Sequence, residues 1–381
     1  VANSPCTSQS PVIVAARRTP IATRGRALAD RHLEDLAAPV IRAGLTDATS
    51  ALNTHPDVAD VILGNCMGPG GNPGRIAALA AGLGKQVPGA TIDRQCGSGL
   101  AAIIHAGMAI TAGDTRAYIA GGVESASTAP IRSMHGVPYN QAPFVPAGWE
   151  DPGMIEAADA LARADQIDRS RQEQHSLRSC QRARTAQKHR VFDQEIVPIH
   201  AVDRDEIPAR LDAVLARLAP INPGGSVTAA TATRISDGAT AVVLVPEECA
   251  RGVAGLRLRS WAIVGCDPRL PGIGAAPAVQ AAVAKAGVSL SQIVAFEIVE
   301  AFAAQSLAVL SRLGLADDDP RVCSDGGALA LGHPWGASSA VSVVRLFSRL
   351  VRAGAPAGAC GVAAASIAGG MGIAAVMEVV R

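Results

Sequence analysis

The stretch DRQCGSGL, residues 93 to 100, sets a cysteine between a β-rich run and a small-residue run with helical character. A strand-to-helix turn presents backbone N–H groups and the positive end of a helix, and both lower a thiol pKa and stabilise an oxyanion. Gly97 and Gly99 let a ligand come close. Cys96 therefore fits a nucleophile elbow with sulfur in place of a serine oxygen. Against that stands the frequency of free cysteine as an ordinary core residue. His333 lies in GGALALGHPWGASSA (326–340), at the corresponding junction of the second half. An imidazole on such a turn can take a proton from a thiol, or merely cap the turn. Glu300, in FEIVEAFAAQ (296–305), stands near a helix start, where a carboxylate can be a simple cap.

The elements that would position these residues follow from periodicity. PVIVAARR (11–18), VADVILGN (58–65), ATIDRQ (90–95) and AYIAGG (117–122) read as strands. Residues 32–43, 75–83 and 97–112 read as helices. Alternation of this kind predicts a layered α/β core. Between about 123 and 238 the character changes: residues 133–153 are Pro- and Gly-rich and predict irregular chain, and 167–190 predict a charged helix in a polar insertion or lid. Strands return at 238–246 and 256–266. Residues 337–354 and 361–370 then repeat the earlier helix–strand order and end on the same Ile-Ala-Gly-Gly as 119–122, which predicts an internal duplication.

The totals narrow the class. The chain has 381 residues, 49% hydrophobic, with 39 glycines and only 3% aromatics, so a large interior must be built from small side chains. Its 34 basic and 33 acidic residues give no electrostatic case for nucleic acid. The eight cysteines form no C-x-x-C pair and none has a histidine at ligand spacing, so no metal site is expected. The apolar tail, GVAAASIAGGMGIAAVMEVV, carries four glycines and predicts a buried strand–turn–strand rather than a membrane span. No charged and apolar leader is present at the start of the sequence, and a cytoplasmic location with reduced thiols is expected.

Beyond these readings the chain resembles the thiolase family, the acetyl-CoA acetyltransferases and 3-ketoacyl-CoA thiolases. The resemblance is carried in order by PVIVAARRTPIATRGRALAD (11–30), NPGRIAALAAGL (72–83), DRQCGSGLAAI (93–103), GGVESAS (121–127), FDQEIVPI (192–199), SDGATAVVL (236–244), VEAFAAQSLAV (299–309), GGALALGHPWGAS (326–338) and IAGGMGIA (367–374). It implies two βαβαβαββ halves stacked as five α/β/α/β/α layers, with halves at 1–255 and 256–381 and a loop domain at about 123–238 inserted in the first. It also implies an acyl-Cys96 intermediate with His333 activating the thiol, acyl-CoA and CoA as substrates, no bound cofactor, and a homodimer or homotetramer. The implied activity is thiolytic cleavage of 3-ketoacyl-CoA or condensation of acyl-CoA units.

The sequence also departs from the family pattern. Ser366 stands where a second, proton-transferring cysteine is usual, and an alcohol is a far weaker base than a thiolate. Ala368 replaces an oxyanion-hole glycine but keeps its N–H. Val299 replaces the Asn that holds an ordered water in a second oxyanion hole. Met154, Thr233 and Phe302 match positions along the acyl and pantetheine channel. The expected consequence is atypical or weak turnover, with acylation and hydrolysis alone, or non-catalytic binding of CoA thioesters, as alternatives.

Overall fold

The structure, a computed structural model, describes residues 9–139 and 142–381. In chain order the first part runs β1 (Pro11–Arg18), β2 (Ala22–Thr23), α1 (Leu33–Leu52), β3 (Val58–Gly64), α2 (Pro73–Ala80), β4 (Gly89–Ile92), α3 (Ser98–Thr111) and β5 (Ala117–Glu124). The insertion carries β6 (Arg132–Met134), β7 (Val137–Tyr139), α4 (Met154–Ala164), α5 (Arg169–Lys188) and α6 (Leu211–Val214). Then follow β8 (Ser236–Pro246), β9 (Gly255–Gly265), α7 (Ala275–Ala286), β10 (Ile293–Ile298), α8 (Ala303–Leu313), α9 (Ala328–Leu331), α10 (Trp335–Leu346), β11 (Cys360–Ile367) and β12 (Met371–Val380).

The strands lie in the order β10-β11-β12-β9-β1-β8-β5-β3-β4, joined across the middle by a short β1–β9 pairing. Each side has the same grammar. β3 runs parallel to β4 and β5, while β8 is antiparallel to both β5 and β1. β10 runs parallel to β11, while β12 is antiparallel to both β11 and β9. A single parallel bridge, Phe296 to Val322, stands where β4 pairs with β3.

α3 and α10 form the shared middle layer, and their apolar residues merge with strand residues of both sides in one core cluster. α1 and α2 cover the far face of the first sheet, and α7 and α8 that of the second. The small-residue composition is what allows this stacking. A Cβ on Gly122 would lie 2.1 Å from the Gly336 carbonyl oxygen, and one on Gly64 would lie 2.5 Å from it. Only glycine lets the start of α10 press against β3 and β5.

Three expectations change. Residues 133–153 are not wholly irregular, because β6 and β7 form a small hairpin across His135 and Gly136, both at positive φ. The helix expected at 32–43 continues to Leu52, since Leu45 and Ala48 keep facing the core until Asn53 turns left-handed at φ 54. The charged helix α5 is no free lid: it buries Gln172, His175, Ser176 and Ser179 together with Cys180, Ala183 and Ala186. Polar groups opposite make that burial tolerable, with Ser179 Oγ donating to Glu300 at 2.7 Å and Gln172 Nε2 to Ser226 Oγ at 2.9 Å.

The segment after α5 is tied to the core by charge. Arg18, fully buried in β1, bonds Glu195 at 2.7 Å and Asp205 through both terminal nitrogens at 2.7 and 2.8 Å. Glu195 also takes Ser348 Oγ at 2.6 Å and Arg345 from α10. The insertion, β1 and α10 thus share one buried network.

Candidate active site

Cys96 stands between β4 and α3, held by a tight local web. Gln95 adopts φ 47, a left-handed conformation costly for a non-glycine residue, directly before the cysteine. Ser98 Oγ donates to the Gln95 carbonyl at 2.6 Å and accepts from Arg94 N–H at 2.8 Å. These bonds fix the turn so that the thiol emerges at the start of α3.

His333 comes from the equivalent turn before α10. Its backbone N–H donates to the Arg234 carbonyl at 2.9 Å, which anchors the turn to the start of β8. The imidazole Nε2 lies 3.2 Å from Cys96 Sγ, and Nδ1 lies 2.6 Å from Ser338 Oγ. Ser338 donates its own proton to the Pro334 carbonyl at 3.0 Å. With the Ser338 proton on the Pro334 carbonyl, Nδ1 carries the ring proton and the Nε2 lone pair faces the thiol.

Burial pushes the Cys96 thiol up to about 12, opposed by its own backbone N–H and that of Ala368, and reinforced by the charges of Glu124 and Asp93. Burial likewise lowers His333 to about 4. Near neutrality the pair is thiol and neutral imidazole, so the proton moves when the sulfur attacks rather than beforehand. The backbone N–H groups of Cys96 and Ala368 favour the thiolate, and such donors beside the sulfur could also receive a thioester oxygen. Ala368 opens the turn between β11 and β12, with Gly369 and Gly370 at φ 78 and 76.

Ser366 is placed differently. Its hydroxyl donates to the Gly272 carbonyl at 2.6 Å and accepts the Ala275 N–H at 3.0 Å, bracing the first turn of α7. Cys360 faces the same side of β11 but sits at its far end, beside Arg259. Val299 is buried at the end of β10, where it lines a cavity of about 20 Å³ together with Ser338, Ser342 and Arg345. Thr233 donates to the Ala328 carbonyl at 2.6 Å, and its backbone pairs with the Ala301–Ala303 segment that carries Phe302. Met154 opens α4, which packs on α8.

Glu300 accepts from Ser179 and faces His175 Nε2 at 3.2 Å, so it braces α5 and the approach to α9. Arg234, next to Thr233, donates to the carbonyls of Glu206 and Ala330. The structure thus gathers Cys96, His333 and the Ala368 N–H at one point, and gives the Ser366 hydroxyl protein partners elsewhere. Sequence reasoning missed Ser338; the available signal was a serine five residues after the histidine, in the first turn of the helix that follows it.

Among the described residues no group of His, Cys, Asp and Glu could hold a metal ion, and no helix is long and apolar enough to cross a membrane.

Residues 11–248 match the thiolase N-terminal domain and residues 254–379 the thiolase C-terminal domain. The chain is 39% identical over 395 residues to the cytosolic acetyl-CoA acetyltransferase of Rattus norvegicus, covering 95% of this chain and 96% of that one. It is 37% identical over 394 residues to the beta-ketoadipyl-CoA thiolase of Pseudomonas putida, covering 95% and 97%. The crystal structure of the Bacillus anthracis acetyl-CoA acetyltransferase superposes with a TM-score of 0.88 at 34% identity, over 98% of this chain and 100% of that one. The chain belongs to the thiolase family and is a thiolase-type acyltransferase.

Proposed function

We propose that the protein transfers acyl groups between CoA thioesters in two half-reactions, with Cys96 as nucleophile and His333 as proton carrier in both. Cys96 Sγ attacks the thioester carbonyl while its proton passes to His333 Nε2, and the carbonyl oxygen is received by the N–H groups of Cys96 and Ala368. Collapse expels either CoA thiolate or, from a 3-ketoacyl-CoA, the acetyl-CoA enolate, which takes the proton from Nε2. In the second half-reaction Nε2 accepts the proton of an incoming CoA thiol, the sulfur attacks the acyl-Cys96, and Cys96 recovers its proton. The observation that carries this reading is the 3.2 Å contact between Cys96 Sγ and a His333 whose free lone pair is fixed by Ser338.

Turnover is expected to be weak. Ser366 has its hydroxyl committed to Gly272 and Ala275, and Val299 offers no polar atom to hold a water. Loss of one oxyanion-hole donor alone costs about 10²–10³ in rate. The same two residues favour a second reading, in which the protein acylates Cys96 and releases the acid by hydrolysis. The division into halves at 1–255 and 256–381, with the inserted segment at 123–238, the channel roles of Met154, Thr233 and Phe302, a cytoplasmic location and a homodimeric or homotetrameric assembly belong to this same reading.

Incubation with acetyl-CoA, and separately with acetoacetyl-CoA plus CoA, followed by intact mass and CoA release, tests it. An acetyl adduct on Cys96 with thiolysis of acetoacetyl-CoA is expected. An adduct with hydrolysis but no thiolysis selects the second reading. Binding of CoA without any adduct would overturn both.

A further inference from the structure

We propose that Glu124 is a positioning residue for the nucleophile: a buried carboxylate that ties the turn after β3 to the first turn of α10 and so sets where Cys96 meets His333. Glu124 ends β5 and is wholly buried. It is held by four N–H groups. Oε1 accepts from Asn65 Nδ2 at 2.9 Å and Met67 N at 3.0 Å; Oε2 accepts from Cys66 N at 3.1 Å and Gly336 N at 2.9 Å.

One oxygen therefore spans the two halves of the site. On one side Cys66 Sγ donates to the Gln95 carbonyl at 3.1 Å, directly before Cys96. On the other, Gly336 lies three residues after His333, in the helix start that Gly64 and Gly122 admit. Burial pushes the Glu124 carboxyl up to about 7, opposed by the N–H groups of Gly336, Met67 and Cys66, so above that pH the four donors hold an anion. This charge has a second effect. The ionisable groups around it are Asp93, Cys66 and Cys96 from the first half, with the neutral ring of His333 beyond Cys96. A nearby anion disfavours a thiolate, so the charged Glu124 adds to burial in holding Cys96 as a thiol.

The inference rests on Cys96 being the nucleophile, and alkylation of Cys96 separates it from the acyl-transfer reading, since iodoacetamide needs no CoA site. Glu124→Gln removes the charge and opposes an NH₂ group to two of the donors. We expect acylation by acetyl-CoA to fall ~10²-fold, as for a displaced reacting group. The pH midpoint of Cys96 alkylation should drop by about one unit, because a negative neighbour has gone. A merely structural role would lower the melting temperature and leave that midpoint unmoved. Asn65→Ala, which keeps the carboxylate but takes one donor from it, should move the midpoint slightly upward and slow acylation by less, and it serves if Glu124→Gln does not fold. An unchanged midpoint in the folded variant would overturn the proposal, as would acylation within ~3-fold of the parent.

Discussion

Cys96 Sγ and His333 Nε2 lie 3.2 Å apart, yet burial drives their pKa values away from each other, to about 12 and about 4. No ion pair is stored between them at neutral pH. In Glu124→Gln, where no carboxyl titrates near 7, the acylation rate should stay level from about pH 5 to pH 9 and fall only as His333 gains a proton near its lowered pKa. The sign follows from the base: protonation below about 4 removes the lone pair that receives the thiol proton. Rapid-quench acylation across this range checks it, and a midpoint near 6.5, the ordinary imidazole value, would contradict it. Cys96→Ala should form no adduct at any pH.

Ser338 fixes which nitrogen of His333 is free. Ser338→Ala removes one hydrogen bond, about 1 kcal/mol, and lets the ring take the wrong tautomer. Acylation should slow about five- to tenfold with KM little changed. An equal loss in KM and none in kcat would assign Ser338 to substrate binding instead.

Ser366 is bonded to both Gly272 and Ala275, so its loss should appear in stability before activity. Ser366→Ala is expected to cost about 1–3 kcal/mol, because the Ala275 N–H and Gly272 carbonyl lose a partner. The first acylation step should be nearly unchanged, as read by CoA release in a single turnover. Ser366→Cys combined with Val299→Asn should raise thiolysis of acetoacetyl-CoA by at least ~10-fold if those residues limit turnover. No gain in the double variant would remove that explanation.

Arg18 is fully buried between Glu195 and Asp205. Arg18→Met would strand two buried carboxylates and is expected to destabilise the fold by about 3–5 kcal/mol. Chemical denaturation measures this directly. A change below about 1 kcal/mol would mean that the network relaxes by admitting water.

Much of the frame was legible in the residues. Strand and helix periodicity located the main elements, and the repeated helix–strand order before Ile-Ala-Gly-Gly pointed to a second half built like the first. The low aromatic content foretold close packing, which the contact of Gly122 with Gly336 makes concrete. The switch from a period of 2 in strands to 3.6 in helices marked Cys96 and His333 because such junctions are visible in local pattern. The insertion was harder. Its helix α5 looks solvent-facing in composition, and only the opposing Glu300 and Ser226 explain why Gln172, His175 and Ser179 are buried.

The sequence by itself determined the identity of the reactive groups, Cys96 on one glycine-bordered turn and His333 on another, and the absence of a second thiol at position 366. Tertiary structure alone decided that the two turns meet and that the Ser366 hydroxyl braces α7. The reason is physical. Residue type and spacing act through the local chain, whereas these contacts join positions 237, 91 and 94 residues apart through packing of α3 against α10 and of β11 against α7.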